Sequence, residues 1–207
     1  EGALRAVQAG CTDIRVGVGP GSVCTTRLMT GFGLPNLSAV YRIKNEVDSY
    51  FQDNWGEVGM PKRSDIKIIA DGGIKTPGDA VKYIVAGADG IMLGSALSKT
   101  YESSGWVKRW NSSGHLVSVT KKYRGQASAS FQKDLLGKVP KCAEGTTTSD
   151  IIPEESIEDV LNRYVGGMQS AISYAGVRSI YDMNTSNVKF ERITASGWVE
   201  GTPHGAQ

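Results

Sequence analysis

The sequence predicts an α/β fold built from parallel βα units, and three observations predict it. Short apolar runs recur at 14–18, 66–70 and 90–93. Each ends in a glycine turn, at Gly17-Val18-Gly19-Pro20-Gly21, Asp71-Gly72-Gly73 and Gly94-Ser95. Helical spacing follows at 37–51 and 77–86, and strand, glycine loop and helix in repetition are the signature of parallel units. Such strands fit either an open doubly wound sheet or a (β/α)8 barrel. In the barrel every glycine turn falls on one face, where such enzymes keep their sites.

The elements follow in order. Residues 1–10 read as a helix with Leu4 and Val7 on one face and Gly10 as its stop. Ile14, Val16 and Val18 alternate with Arg15 and Gly17, as a strand requires. Leu37, Val40, Tyr41, Ile43, Val47 and Tyr50 form one face of a helix with Ser38 near its start. Gly56, Gly59 and Pro61 mark 54–63 as a loop. Ile66-Lys67-Ile68-Ile69-Ala70 is the second strand, and Pro77 opens a helix to Ala86, its missing N–H being harmless in a first turn. Gly90-Ile91-Met92-Leu93 is the third strand.

Over 106–122, Trp106, Val107 and Trp110, the turn Asn111-Ser112-Ser113-Gly114, then Leu116, Val117 and Val119 read as a β-hairpin across a barrel mouth. Residues 125–153 lack periodicity and read as a mobile flap. Ile157, Val160, Leu161, Tyr164 and Met168 share a face of a helix at 156–174, and no pattern at 188–207 would stabilise a tail alone.

Composition bounds the function. The 207 residues are 40% hydrophobic and 21% charged, an ordinary globular balance, and a net charge of +2 makes no electrostatic case for nucleic acid or a membrane as partner. Cys11, Cys24 and Cys142 lack paired spacing, so neither a disulfide framework nor a zinc site is indicated and a reducing cytoplasm is the expected setting. His115 and His204 each lack a second ligand at metal spacing. No apolar run approaches the ~20 residues that span a bilayer.

The chemistry concentrates at Gly19-Pro20-Gly21-Ser22-Val23-Cys24-Thr25-Thr26-Arg27. A glycine-rich turn bares backbone N–H groups that can cradle a phosphate. A cysteine fixed beside it is then a candidate nucleophile toward an electrophilic ring carbon, where an isolated one is more often a small apolar cap.

That loop, continued by Thr30-Gly31-Phe32-Gly33-Leu34-Pro35-Asn36-Leu37-Ser38-Ala39-Val40, closely resembles the active-site loop of the IMP dehydrogenase and GMP reductase family. Ala70-Asp71-Gly72-Gly73-Ile74, Gly87-Ala88-Asp89-Gly90-Ile91-Met92-Leu93-Gly94-Ser95 and Lys122-Tyr123-Arg124-Gly125 resemble its later motifs in the same order. The resemblance covers nearly the whole chain and implies a (β/α)8 TIM barrel. A full barrel takes about 250 residues, and the chain opens inside a helix and strand series. It therefore reads as the C-terminal portion of one barrel: the last three βα units over 1–105, hairpin and flap over 106–153, and helix and tail over 154–207.

The resemblance also implies roles. Gly21, Ser22, Gly73, Gly94, Ser95, Tyr123 and Gly125 would contact the 5′-phosphate of a purine nucleotide, GMP or IMP, and Asp71 its ribose hydroxyls. Cys24 would attack purine carbon 2, with Thr26 and Glu144 managing protons. The carbonyls of Gly19, Gly21 and Cys24 would coordinate a monovalent cation, potassium, completed by Glu200, Gly201 and Thr202 of a neighbouring subunit in a homotetramer. The missing N-terminal barrel half would be a further partner.

Dehydrogenase and reductase differ in the flap. IMP dehydrogenases carry an Arg-Tyr pair ahead of the Glu144 position, and here Phe131-Gln132-Lys133-Asp134 occupies that stretch. The short flap also resembles the reductase, whereas Tyr123-Arg124-Gly125 and Val199-Glu200-Gly201 resemble the dehydrogenase. The missing pair removes a chemical step, so GMP reductase with NADPH is the expectation, and IMP dehydrogenase with NAD the alternative. A nucleotide-binding piece without turnover is the third reading.

Overall fold

The computed structural model describes residues 1–54, 62–184 and 188–202. Most of the expected 54–63 loop lies outside the described residues, as does His204. Helix α1 (Gly2–Gln8) turns at Gly10 into strand β1 (Asp13–Val16). The cysteine loop leads to the short α2 (Thr26–Thr30) and the long α3 (Asn36–Asp53), which starts at Asn36 because Pro35 stands at its N-cap. Strand β2 (Lys67–Asp71), α4 (Pro77–Val85), β3 (Gly90–Met92) and α5 (Ser95–Ser98) complete the series. A capping box starts α4: Thr76 Oγ1 accepts from the Asp79 N–H at 3.2 Å, and Asp79 Oδ2 accepts from the Thr76 N–H at 3.0 Å.

Strand β4 (Val107–Trp110) and β5 (Leu116–Arg124) form the antiparallel hairpin, turning through Asn111 to Gly114 as its residues predict. The 125–153 segment is more regular than its composition predicts. Helix α6 (Ala129–Leu136) is delimited by Ser128, whose hydroxyl accepts the Phe131 N–H at 3.3 Å, and by Gly137 at φ +65°. Strand β6 (Thr147–Ile151) pairs antiparallel with β5. Its only apolar residue is Ile151, so pairing with β5 makes it a strand where no alternation announces one. Helix α7 (Ile157–Ala175) starts at a Ser156–Asp159 capping box and stops at Gly176, and the tail holds a short α8 (Ala195–Glu200) capped by Thr194.

Strands β1, β2 and β3 form a parallel sheet in that order, with Ile14 opposite Ile68, Val16 opposite Ala70, and Ala70 opposite Ile91. Their C-terminal ends, and hence their glycine loops, share one face. Alternation along β2 turns Ile68 and Ala70, both fully buried, toward the helices. There they meet Val40 of α3, Ala80 and Tyr83 of α4, and Val160 and Tyr164 of α7. A smaller cluster of Val7, Val47, Phe51 and Ile66 closes the sheet's N-terminal end. Each large side chain buried here contributes about 1.5–3 kcal/mol, which makes the helix-covered side of the sheet the rigid base of the loops. Among the described residues no helix is long and apolar enough to cross a membrane.

Candidate active site

Residues 17–27 leave β1 and fold back on themselves, the Cys24 N–H donating to the Gly21 carbonyl at 3.0 Å to close a tight turn. Arg27 holds this turn from behind, donating from Nε to the Val18 carbonyl at 3.1 Å and from Nη2 to the Leu34 carbonyl. One guanidinium thus ties the end of β1 to the Gly31–Leu34 bend. The half-buried Cys24 thiol donates to the Thr26 hydroxyl at 3.3 Å.

The flap is joined to this loop through backbone. Thr25 N–H donates to the Glu144 carbonyl at 2.9 Å and Thr146 N–H to the Val23 carbonyl at 2.8 Å, while Glu144 N–H returns to the Ala127 carbonyl at 3.1 Å. Cys24 and Gly145 pair as an antiparallel bridge. The Glu144 main chain is thereby fixed beside the cysteine loop.

The β2 end abuts the same loop. Gly72 takes φ +86°, and a β-carbon there would lie 2.9 Å from Pro20 Cγ and 3.1 Å from the Gly21 nitrogen. Only glycine combines that φ with so close an approach. The buried Asn36 fixes this corner, donating from Nδ2 to the Asp71 carbonyl at 3.1 Å, and the Tyr83 hydroxyl donates to the Gly72 carbonyl at 3.3 Å. The Asp71 carboxylate stays in the cleft with Arg15 Nε 3.4 Å from its Oδ2.

The result is a cleft of ≈260 Å³ in which Gly21, Ser22, Cys24, Thr26, Asp71 and Glu144 meet, together with Gly19, Tyr123 and Gly125. Burial pushes the Tyr123 phenol up, and the Asp71 carboxylate adds to the shift, so its hydroxyl is held as a donor. Gly94, Gly73 and Ser95 stand outside the cleft's lining. Gly94 lies behind Tyr123, where a β-carbon would sit 2.9 Å from the phenol oxygen, and Gly73 faces Pro20 and Tyr83. Ser95 opens α5 with its carbonyl accepting from Ser98 Oγ at 2.8 Å. Glu200, Gly201 and Thr202 end α8, and the hydrogen bonds of Gly201 and Thr202 run to Gly197 and Val199. None of these three is among the residues that line the cleft.

Arg27, Asn36 and Tyr83 had no chemical role in the sequence reading, although Arg27 and Asn36 fall within its motif. A polar residue directly after Pro35, ahead of an apolar helix face, was the available signal for Asn36.

The geometry has counterparts among known proteins. Residues 1–204 match the IMP dehydrogenase / GMP reductase domain model. The inosine-5′-monophosphate dehydrogenase of Chlorobaculum tepidum is 34% identical, with 96% of this chain and 38% of that protein covered. The Halalkalibacterium halodurans protein of the same name is 35% identical over 97% of this chain and 39% of its own length, and the Thermoplasma acidophilum one 37% over 92% and 36%. The chain thus spans less than two-fifths of these relatives. Among solved structures, a cysteine-to-alanine variant of GMP reductase from Trypanosoma brucei, in complex with guanosine 5′-monophosphate, superposes with a TM-score of 0.81 at 31% identity, covering 99% of this chain and 39% of that one. The three βα units are accordingly part of a (β/α)8 barrel.

Proposed function

Because this chain belongs to the IMP dehydrogenase / GMP reductase family, we propose that it forms the catalytic part of a purine nucleotide oxidoreductase working at purine carbon 2, in the direction of GMP reduction. The observation that carries the reading is the meeting of Cys24, Thr26 and Glu144 in one cleft with Asp71 and the glycine loops. The base would lie over Cys24. The phosphate would rest on Gly21, Ser22, Tyr123 and Gly125, flanked by Gly73, Gly94 and Ser95, and the ribose on Asp71.

The Cys24 thiolate adds to carbon 2 of GMP, and the exocyclic amine must be protonated before it leaves as ammonia. We assign that proton to Thr26, hydrogen-bonded to the thiol, and to Glu144, which lines the same cleft. Carbon–sulfur bond formation and carbon–nitrogen cleavage leave a thioimidate on Cys24. The overall conversion is GMP, NADPH and a proton to IMP, ammonia and NADP. No residue of this chain is assigned to the coenzyme.

The direction rests on the flap. No arginine lines the cleft among the described residues, and Arg124 is engaged elsewhere, paired with Asp134 and lying 5.3 Å from the Phe131 ring centroid. This supports the reductase direction, which needs no water activated on the covalent intermediate. The second reading is IMP dehydrogenation with NAD, favoured by the name the three relatives above carry. A monovalent cation such as potassium would suit the hard carbonyl oxygens of Gly19, Gly21 and Cys24, shaping the cysteine loop, with Glu200, Gly201 and Thr202 of a neighbouring copy in a homotetramer. The remaining barrel strands are the other partner, in a cytoplasmic setting.

The test is intact-protein mass measurement after incubation with GMP, with the N-terminal barrel half supplied. An adduct of GMP less ammonia on the Cys24 peptide, absent in Cys24→Ala, is expected. No adduct in either protein contradicts covalent deamination at this residue.

A further inference from the structure

Strand β5 carries a second polar group on the face of Tyr123. Lys121 lies two residues earlier, and the period of a strand turns both side chains the same way. Lys121 is 8% exposed. Its ammonium donates to the Ser103 hydroxyl and to the Ser104 carbonyl, the latter at 3.1 Å, and lies 4.5 Å from the centroid of the Trp106 ring. No carboxylate among the described residues pairs with it. Two of three N–H donors are used and the third has no assigned acceptor. A buried ammonium without a counter-ion is costly, and its burial pushes its pKa down.

The ammonium borders a cleft of ≈300 Å³ whose wall includes Gly94 and Tyr123, and of these Tyr123 also lines the nucleotide cleft. Ser98, Ser103, Ser104, Lys122 and Arg124 complete its polar wall, and no acidic side chain lines it. Arg124 is neutralised by Asp134, which leaves the Lys121 ammonium and the Ser103 hydroxyl it bonds as the donors at the cleft. An ammonium and a hydroxyl with no acidic neighbour in the wall suit an oxyanion such as a phosphoryl group.

We propose that this cleft is an anion subsite, on the far side of Tyr123 from Cys24, in which Lys121 receives a phosphoryl group. It adjoins the cradle proposed for the nucleotide 5′-phosphate, with Tyr123 and Gly94 between them, and stands whether or not that assignment does. The ligand is a free phosphate or a phosphoryl group borne on a larger molecule.

Trp106 lies against the ammonium, so its emission reports the anion's arrival. Titration of inorganic phosphate into the full chain at constant ionic strength should give a saturable change in tryptophan emission. Trp106→Phe should remove the signal. Lys121→Met should weaken binding by about tenfold or more, and Lys121→Arg should restore it. Ser103→Ala leaves the lysine in place and should weaken binding to a lesser degree, which decides the matter if circular dichroism finds Lys121→Met unfolded. Saturating GMP should leave the response intact. Displacement of phosphate by GDP identifies a nucleotide-borne group as the source, and indifference to GDP identifies free phosphate. A response absent from the full chain, unchanged in both Lys121→Met and Ser103→Ala, or competed away by GMP overturns the proposal.

Discussion

The backbone N–H of Thr25 donates to the carbonyl of Glu144 at 2.9 Å, so the flap carboxylate and the cysteine loop are held by main chain rather than by the side chains that do chemistry. Substitution at Glu144 should accordingly leave the architecture intact. Glu144→Gln keeps the side chain's shape and removes its titrating group, so the deamination rate should fall by about 10²-fold or more while GMP affinity changes little. Single-turnover ammonia release and equilibrium dialysis with GMP separate the two quantities. Equal losses in both would mean that Glu144 binds nucleotide instead of moving protons.

The close approach of β1 and β2 gives a stability prediction. A β-carbon on Gly17 would fall 2.2 Å from the Asp71 carbonyl oxygen, and a rigid backbone cannot yield as a flexible side chain would. Gly17→Ala should destabilise the fold by about 1–3 kcal/mol, measured by urea unfolding. It should also displace Asp71 and weaken GMP binding in the same variant.

Asp71 itself is half-buried at the strand end, with Arg15 as its ion-pair partner. Asp71→Ala should weaken GMP binding by about tenfold or more, the worth of a charge-assisted hydrogen bond, with little loss of stability because the buried residues beside it on β2 are untouched. Calorimetric titration with GMP checks it.

The parallel sheet, its strand order and the gathering of Cys24 and Asp71 were legible because period-two alternation and glycine turns announce themselves locally, whereas Tyr123 was expected there only from the family resemblance and Ser95, expected beside Cys24 and Asp71, lies outside the cleft's lining. Strand β6 was not, since Thr147-Thr148-Ser149-Asp150 has no apolar face and becomes a strand only against β5. Helix α6 was missed although Ser128 and Gly137 bracket it, for its eight exposed to half-buried residues, about two turns, lack a clear stripe. The clamps Arg27, Asn36 and Tyr83 bond to carbonyls brought near by the fold, and no spacing encodes such a partner. The same is true of Lys121, whose burial against Trp106 depends on the hairpin closing.

Acid should expose the Asp48 cluster. Partial burial raises the Asp48 carboxyl, but Lys44 at 2.6 Å and Arg63 at 2.5 Å outweigh it and hold the pKa below the usual carboxylate value. A depressed folded pKa stabilises above the unfolded value of about 3.9 and is lost as pH falls through the folded one. Asp48→Asn should therefore be less stable than the native chain by about 1 kcal/mol near pH 7, with the difference vanishing in acid. Urea midpoints across that range measure it.

The central claim is that Cys24 carries a purine through reductive deamination. It is tested most directly by the absorbance of the reduced coenzyme, in a barrel completed with its N-terminal half, when GMP or IMP is supplied separately. With no arginine lining the cleft among the described residues, NADPH should be consumed in proportion to GMP, with ammonia released, and IMP with NAD should yield little NADH. Rapid NADH formation from IMP with no GMP-dependent loss of NADPH would contradict the account and require another base to activate water beside Cys24.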